Sequence, residues 1–104
     1  MEDTRITFET AKLAKKKGFE FRVVWEYILG FKNNYERDKY LPTQSILAKW
    51  LREEHNIHLI AYKNINIDGY DWCYITTDGI TNINSYKTYE EALEIGLQEA
   101  LKLI

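Results

Sequence analysis

From Thr88 to the last residue the apolar positions step by three and four. Tyr89, Ala92, Leu93, Gly96, Leu97, Ala100, Leu101 and Ile104 form one continuous stripe, with Glu94, Gln98, Glu99 and Lys102 outside it. That period predicts an amphipathic helix over 89–103. Thr88 and Glu91 supply a capping box at its start. A second helix is predicted over 44–55. Pro42 interrupts whatever precedes it, Thr43 caps it, and Ile46, Leu47, Trp50 and Leu51 make its apolar stripe. His55-Asn56 ends it, Asn being tolerant of the left-handed conformation. A third helix is predicted from about Thr7 to Lys17, capped by Thr7 and closed by Gly18, with Lys15, Lys16 and Lys17 at the end of the dipole that favours cations.

Elsewhere the period is two. Phe19, Phe21, Val23, Trp25 and Tyr27 alternate with Glu20, Arg22, Val24 and Glu26, which predicts a half-buried strand; a helix can also be drawn through 23–29. Residues 30–41 are polar and predict a loop. Asp68-Gly69 and Asp78-Gly79 stand ten residues apart between apolar runs. Asp-Gly suits the two positive-φ positions of a tight hairpin turn, so a meander of three strands is predicted at 57–67, 70–77 and 80–86. The fold class is therefore α+β: a three-stranded antiparallel meander with helices on one face, α-β-β-β-α from residue 43, preceded by an N-terminal helix and strand. One domain spans 1–104, with 1–41 as its N-terminal part and 43–104 as its core.

A two-residue turn at Asp68-Gly69 sets Ile67 opposite Tyr70, Ile65 opposite Trp72, Lys63 opposite Tyr74 and Ala61 opposite Thr76. Opposed residues share a sheet face. One face then carries Ile57, Leu59, Ala61, Ile65, Ile67, Tyr70, Trp72 and Tyr74, with Ile83 joining opposite Tyr74; this is the expected core. The other carries His58, Ile60, Tyr62, Asn64, Asp71, Cys73, Ile75, Ile80 and Tyr86. A solvated face is mostly polar, and this one is not, so something is expected to cover or bind it. The candidates are segment 1–41, placed first, a second copy of the chain, or a partner. The candidate interaction surface is His58, Ile60, Tyr62, Ile75 and Tyr86.

Composition narrows the chemistry. The chain has 104 residues, 45% hydrophobic and 14% aromatic, enough for a core and rich in residues favoured at contact surfaces. The net charge of -2 argues against general polyanion binding. It is uneven, +4 over residues 1–52 and -6 over 53–104. A single cysteine, Cys73, excludes an internal disulfide. With no apolar leader and no run of the roughly 20 apolar residues a span needs, the expected location is the cytoplasm, with no membrane association. His55 and His58 straddle a helix end and lack further ligands, so no metal is expected. Cys73 reads as a buried apolar cysteine and the glycines form no phosphate loop, so no catalytic residue and no cofactor is expected. Lys12, Lys15, Lys16 and Lys17 form the one basic patch, a solvated helix face or a contact to nucleic acid.

The element order from residue 43 resembles that of the double-stranded RNA-binding domain. In that family a lysine-rich stretch opens the last helix, whereas Thr88-Tyr89-Glu90-Glu91-Ala92 is acidic here and repels phosphate. Three blocks resemble, as strings, an uncharacterised family of small proteins from Bacteroides-type gut bacteria and their prophages and mobile elements: 9–19, beginning Glu9-Thr10-Ala11-Lys12; 42–58, with Pro42-Thr43-Gln44-Ser45-Ile46 and Leu51-Arg52-Glu53-Glu54-His55; and 86–104, beginning Tyr86-Lys87-Thr88-Tyr89-Glu90-Glu91. No activity carries over from that family; with no assembled site in the sequence, the expected function is a non-enzymatic accessory or protein-interaction module, and the resemblance implies a prophage or mobile element as its setting. The alternatives are a nucleic-acid-associated protein using the basic N-terminal helix and, least favoured, a small enzyme.

Overall fold

The computed structural model describes residues 4–19, 41–66, 68–86 and 88–104, with 81–85 described by their backbone. The element order is α1 (Phe8–Lys16), α2 (Gln44–His55), β1 (His58–Asn64), β2 (Gly69–Thr76), β3 (Gly79–Tyr86) and α3 (Tyr89–Lys102). This is the expected α+β arrangement, with an antiparallel sheet in the order β1-β2-β3. The strand and loop expected at 19–41 lie outside the described residues, apart from Phe19 and Leu41.

Each helix starts where a threonine hydroxyl accepts a backbone N–H. Thr7 accepts from Thr10, Thr43 from Ile46 and Thr88 from Glu91. A Ser or Thr cap is worth about 1 kcal/mol. Asn56 ends α2 in the left-handed conformation at φ 53°. The buried stripe of α2 is Gln44, Leu47, Ala48 and Leu51, while Ile46 is 52% exposed and off it. The same three-and-four spacing passes through Gln44, one turn before the first apolar residue, so a polar residue leads the stripe.

α3 is the centre of the packing. Its face of Ala92, Leu93, Gly96, Leu97, Ala100 and Leu101 is buried, and the helix contacts β1, β2, α1 and α2. Gly96 sets its distance from the sheet. A Cβ there would lie 2.8 Å from Leu59 Cδ1 and 3.1 Å from Trp72 Cδ2, closer than packed carbons tolerate. Trp72 is fully buried beneath this crossing and stacks on Tyr74 at 5.6 Å.

The N-terminal segment joins the same layer. Ile6 N–H donates to Pro42 O at 2.9 Å, and Gln44 N–H to Thr4 O at 2.8 Å. Ile6, Ala11, Ala14 and Phe19 share one apolar cluster with Leu47, Leu51, Leu97 and Leu101. The described part of segment 1–41 therefore packs with the helices and not on the second sheet face, where it was expected first.

Both strand registers differ from expectation. Tyr70 lies opposite Lys63, not Ile67, and Trp72 opposite Ala61. The cause is an Asx turn: Asn64 Oδ1 accepts from Asn66 N at 2.9 Å, while Asn64 Nδ2 donates to Asp71 at 2.8 Å. This closes β1 early and leaves a four-residue loop, 65–68. Ile65, expected in the core, is 92% exposed on that loop. At the second hairpin Thr76 pairs with Gly79, so Thr77-Asp78 makes the turn, and Thr76 Oγ1 accepts from Asp78 N at 3.1 Å. Gly79, at φ 126°, opens β3 in a conformation L-residues rarely adopt. Ile83 consequently lies opposite Trp72 and Thr81 opposite Tyr74.

Candidate functional site

Because both register displacements are even, four residues and two, most residues keep their faces. Leu59, Ala61, Tyr70, Trp72 and Tyr74 face the helices. Ile60 opposes Cys73, His58 opposes Ile75, and Ile75 opposes Ile80 on the other side. That second face is open over much of its area: Ile60 is 45% exposed, Tyr62 38% and Ile80 65%. His58 is exposed, its Nε2 3.2 Å from Asn56 Oδ1, and Ile75 is half-buried. Four of the five expected surface residues thus share one face.

Tyr86 does not belong to it. A bulge between the Tyr70 and Trp72 pairings places two β3 residues, 84 and 85, against Asp71 alone, and Tyr86 comes round opposite Tyr70 on the helix side. Tyr70 there meets Tyr89 edge-on at 6.1 Å. A bulge of one residue leaves no mark in an apolar–polar pattern already short of apolar residues at 81–85.

Cys73 sits in the middle strand of the open face, 8% exposed. Burial pushes its thiol up from its ordinary value, which holds it protonated and weakens it as a nucleophile. His58 lies opposite Ile75, two residues along β2 from Cys73. No group of three or more His, Cys, Asp or Glu among the described residues is arranged to hold a metal, and none of the described helices is long and apolar enough to cross a membrane.

The basic patch divides. Lys12, Lys15 and Lys16 are exposed on α1, with Lys12 Nζ 5.1 Å from the centre of the Phe8 ring. Lys17 is half-buried and donates from Nζ to the carbonyl of Ile104 at the end of α3.

Two further features were missed by the pattern. The first is a polar clasp between α1, α2 and α3. Glu94 Oε2 accepts from Thr7 N and Thr7 Oγ1, both at 3.0 Å, and from the Thr10 hydroxyl. Gln44 Nε2 donates to Glu94 Oε1 at 3.1 Å, and Gln98 Nε2 donates to Thr10 Oγ1 at 2.8 Å. Thr10 is fully buried and Gln44 2% exposed. Every donor named finds an acceptor, so the clasp is a satisfied structural junction with no group left over for chemistry.

The second is a cleft of about 390 Å³ where the ends of α2 and α3 meet the β2–β3 turn, lined among others by His55, Tyr74, Thr76, Asp78 and Ile104. The His55 ring is engaged edge-on with Trp50 at 4.7 Å. No family model, curated protein or solved structure matches this chain.

Proposed function

We propose that the chain is a non-enzymatic interaction module, an accessory protein of a prophage or mobile element, that engages a protein partner through the face carrying His58, Ile60, Tyr62 and Ile75. The observation that carries this reading is the exposure of Ile60, Tyr62 and Ile80 together on one sheet face, where the Asp71 carboxylate, opposite Tyr62, is half-buried and accepts from Asn64. Exposed aliphatic and aromatic residues on adjacent strands give a partner apolar area to bury at small entropic expense, because strand side chains are already ordered. With Asp71 engaged by Asn64 at one side, the part of the patch around Ile60, Ile75 and Ile80 favours a partner strip that is itself uncharged, since an unpaired charge would be desolvated there. The protonated, buried Cys73 is consistent with a surface that binds and does not react. The use of Lys17 by the Ile104 carbonyl, and the seating of Lys12 over Phe8, support a structural role for part of the basic cluster over a nucleic-acid role.

Site-specific photocrosslinking tests the proposal. With a benzophenone amino acid at position 62, irradiation in the host cell should give one discrete adduct. Ile80→Glu should suppress that adduct at least tenfold, and the same probe at Arg52, on the exposed side of α2, should give none. Adducts of equal yield at 62 and 52, or an adduct at 62 insensitive to Ile80→Glu, would sink the reading.

A further inference from the structure

The cleft at the end of α2 and α3 has a chemistry the open sheet face lacks. Two helices, α2 of 12 residues and α3 of 14, bring their C-terminal ends to it. Each such end concentrates unpaired carbonyl oxygens and about half a negative charge. Asp78, on the two-residue turn that forms the third wall, adds a carboxylate; it forms no ion pair with the described residues, and its hydrogen bond runs from its backbone N–H to Thr76. No lysine or arginine lines the cleft among the described residues. The chain itself shows what this environment accepts, since the Lys17 ammonium is anchored on the Ile104 carbonyl at its edge. Ile57, Tyr74 and Leu103 add apolar surface to the lining. The volume, about 390 Å³, falls in the range of small-ligand sites.

We infer that this cleft binds an alkyl cation, a guanidinium or ammonium on an apolar stem. The stem lies along Ile57 and Leu103. The charged head meets Asp78, the carbonyls ending α2 and α3, and the face of Tyr74, whose ring attracts cations. The cation has two sources, a free polyamine-like molecule or the Arg or Lys side chain of a peptide. Either is a ligand of a different surface from the open sheet face, so the result is independent of the proposal made for that face.

Amide chemical shifts under titration test the inference. Agmatine should move Asn56, Thr77, Asp78 and Ile104 in a saturable way at low millimolar concentration. n-Butylurea, with a similar stem and no charge, should bind at least tenfold more weakly. Asp78→Asn, which suits the same turn, should weaken agmatine at least fivefold while the unfolding midpoint stays put. Should that variant disturb the turn, Thr77→Arg serves instead: its own guanidinium should occupy the cleft and abolish the agmatine response. The peptide Gly-Arg-Gly binding more tightly than agmatine assigns the site to a partner's side chain, and weaker binding assigns it to a free cation. Equal affinity for agmatine and n-butylurea, indifference to both substitutions, or shifts confined to other residues would overturn the inference.

Discussion

Trp72→Ala is expected to destabilise the protein by about 3–5 kcal/mol, the cost of removing a large aromatic from a closed core. In a domain of this size that corresponds to a fall in Tm of well over 10 °C. Trp72 is the largest of the fully buried side chains among the described residues, and Gly96 of α3 comes close to it and to Leu59. Neighbours cannot collapse into the space easily, because Leu59 and α3 are already held at van der Waals distance by the sheet and the helix backbone.

Trp72→Phe should behave differently. The indole Nε1 is buried with no hydrogen-bond acceptor among the described residues. Its unmet donor costs about 1–3 kcal/mol in the parent protein, so phenylalanine removes a penalty along with some packing. The expected loss for Trp72→Phe is about 1 kcal/mol or less, read as a small change in the urea midpoint at constant m. A loss for Phe as large as that for Ala would show that the indole nitrogen has an acceptor after all.

The second large effect is expected at Glu94. Glu94→Ala removes a charged acceptor from the Thr10 hydroxyl and the Gln44 amide, both in nearly waterless surroundings, and leaves them Thr7 Oγ1 and the Glu90 carbonyl. Lost hydrogen bonds to a charged acceptor and a small cavity should together cost about 3 kcal/mol. Because Glu94 holds the first turn of α1 through both the Thr7 backbone N–H and the Thr7 hydroxyl, the loss should appear locally as well as globally. Amide exchange in α1 should accelerate more than exchange in β2, which the clasp does not touch. Gln44→Ala in the Glu94→Ala background should cost at least 1 kcal/mol less than in the parent, the signature of a shared interaction. Independent, additive losses would show that the two residues act separately.

The clasp also marks where the sequence could be read and where it could not. Helix limits were legible because Thr7, Thr43 and Thr88 each precede an apolar stripe, and a hydroxyl before such a stripe has one good use. The two faces of the sheet were legible although both registers were wrong. Tyr70 moved four residues along β1 and Tyr74 two along β3, and even displacements preserve faces on a period of two. The registers themselves were hidden in side-chain bonds of loop residues. Asn64 turns the chain before Asp68-Gly69 can, and Gly79 spends its conformational freedom on opening β3 instead of completing the turn. Tyr86 was lost to a bulge, which changes face without changing pattern. Glu94 and Gln98 looked solvent-facing because a two-layer picture gives α3 one partner, the sheet. Docking α1 against its flank makes a third contact, and only the pairing of Thr7 and Thr10 one turn apart with the polar Gln44 leading an apolar stripe hints at it. The cleft had no signal in the sequence, being made by three chain segments that meet only after folding.

The central claim is that β1 separates a core from an open face, residue by residue. Leu59 and Ile60 are neighbours in sequence; Leu59 packs against Gly96, and Ile60 is 45% exposed opposite Cys73. Threonine keeps strand propensity at both positions, so equilibrium urea unfolding of Leu59→Thr and Ile60→Thr measures burial with little else changed. The account predicts a loss of about 2–3 kcal/mol for Leu59→Thr and about 1 kcal/mol or less for Ile60→Thr. Equal losses, or the larger one at Ile60, would mean that the second face is buried in the folded chain and is not a surface for any partner.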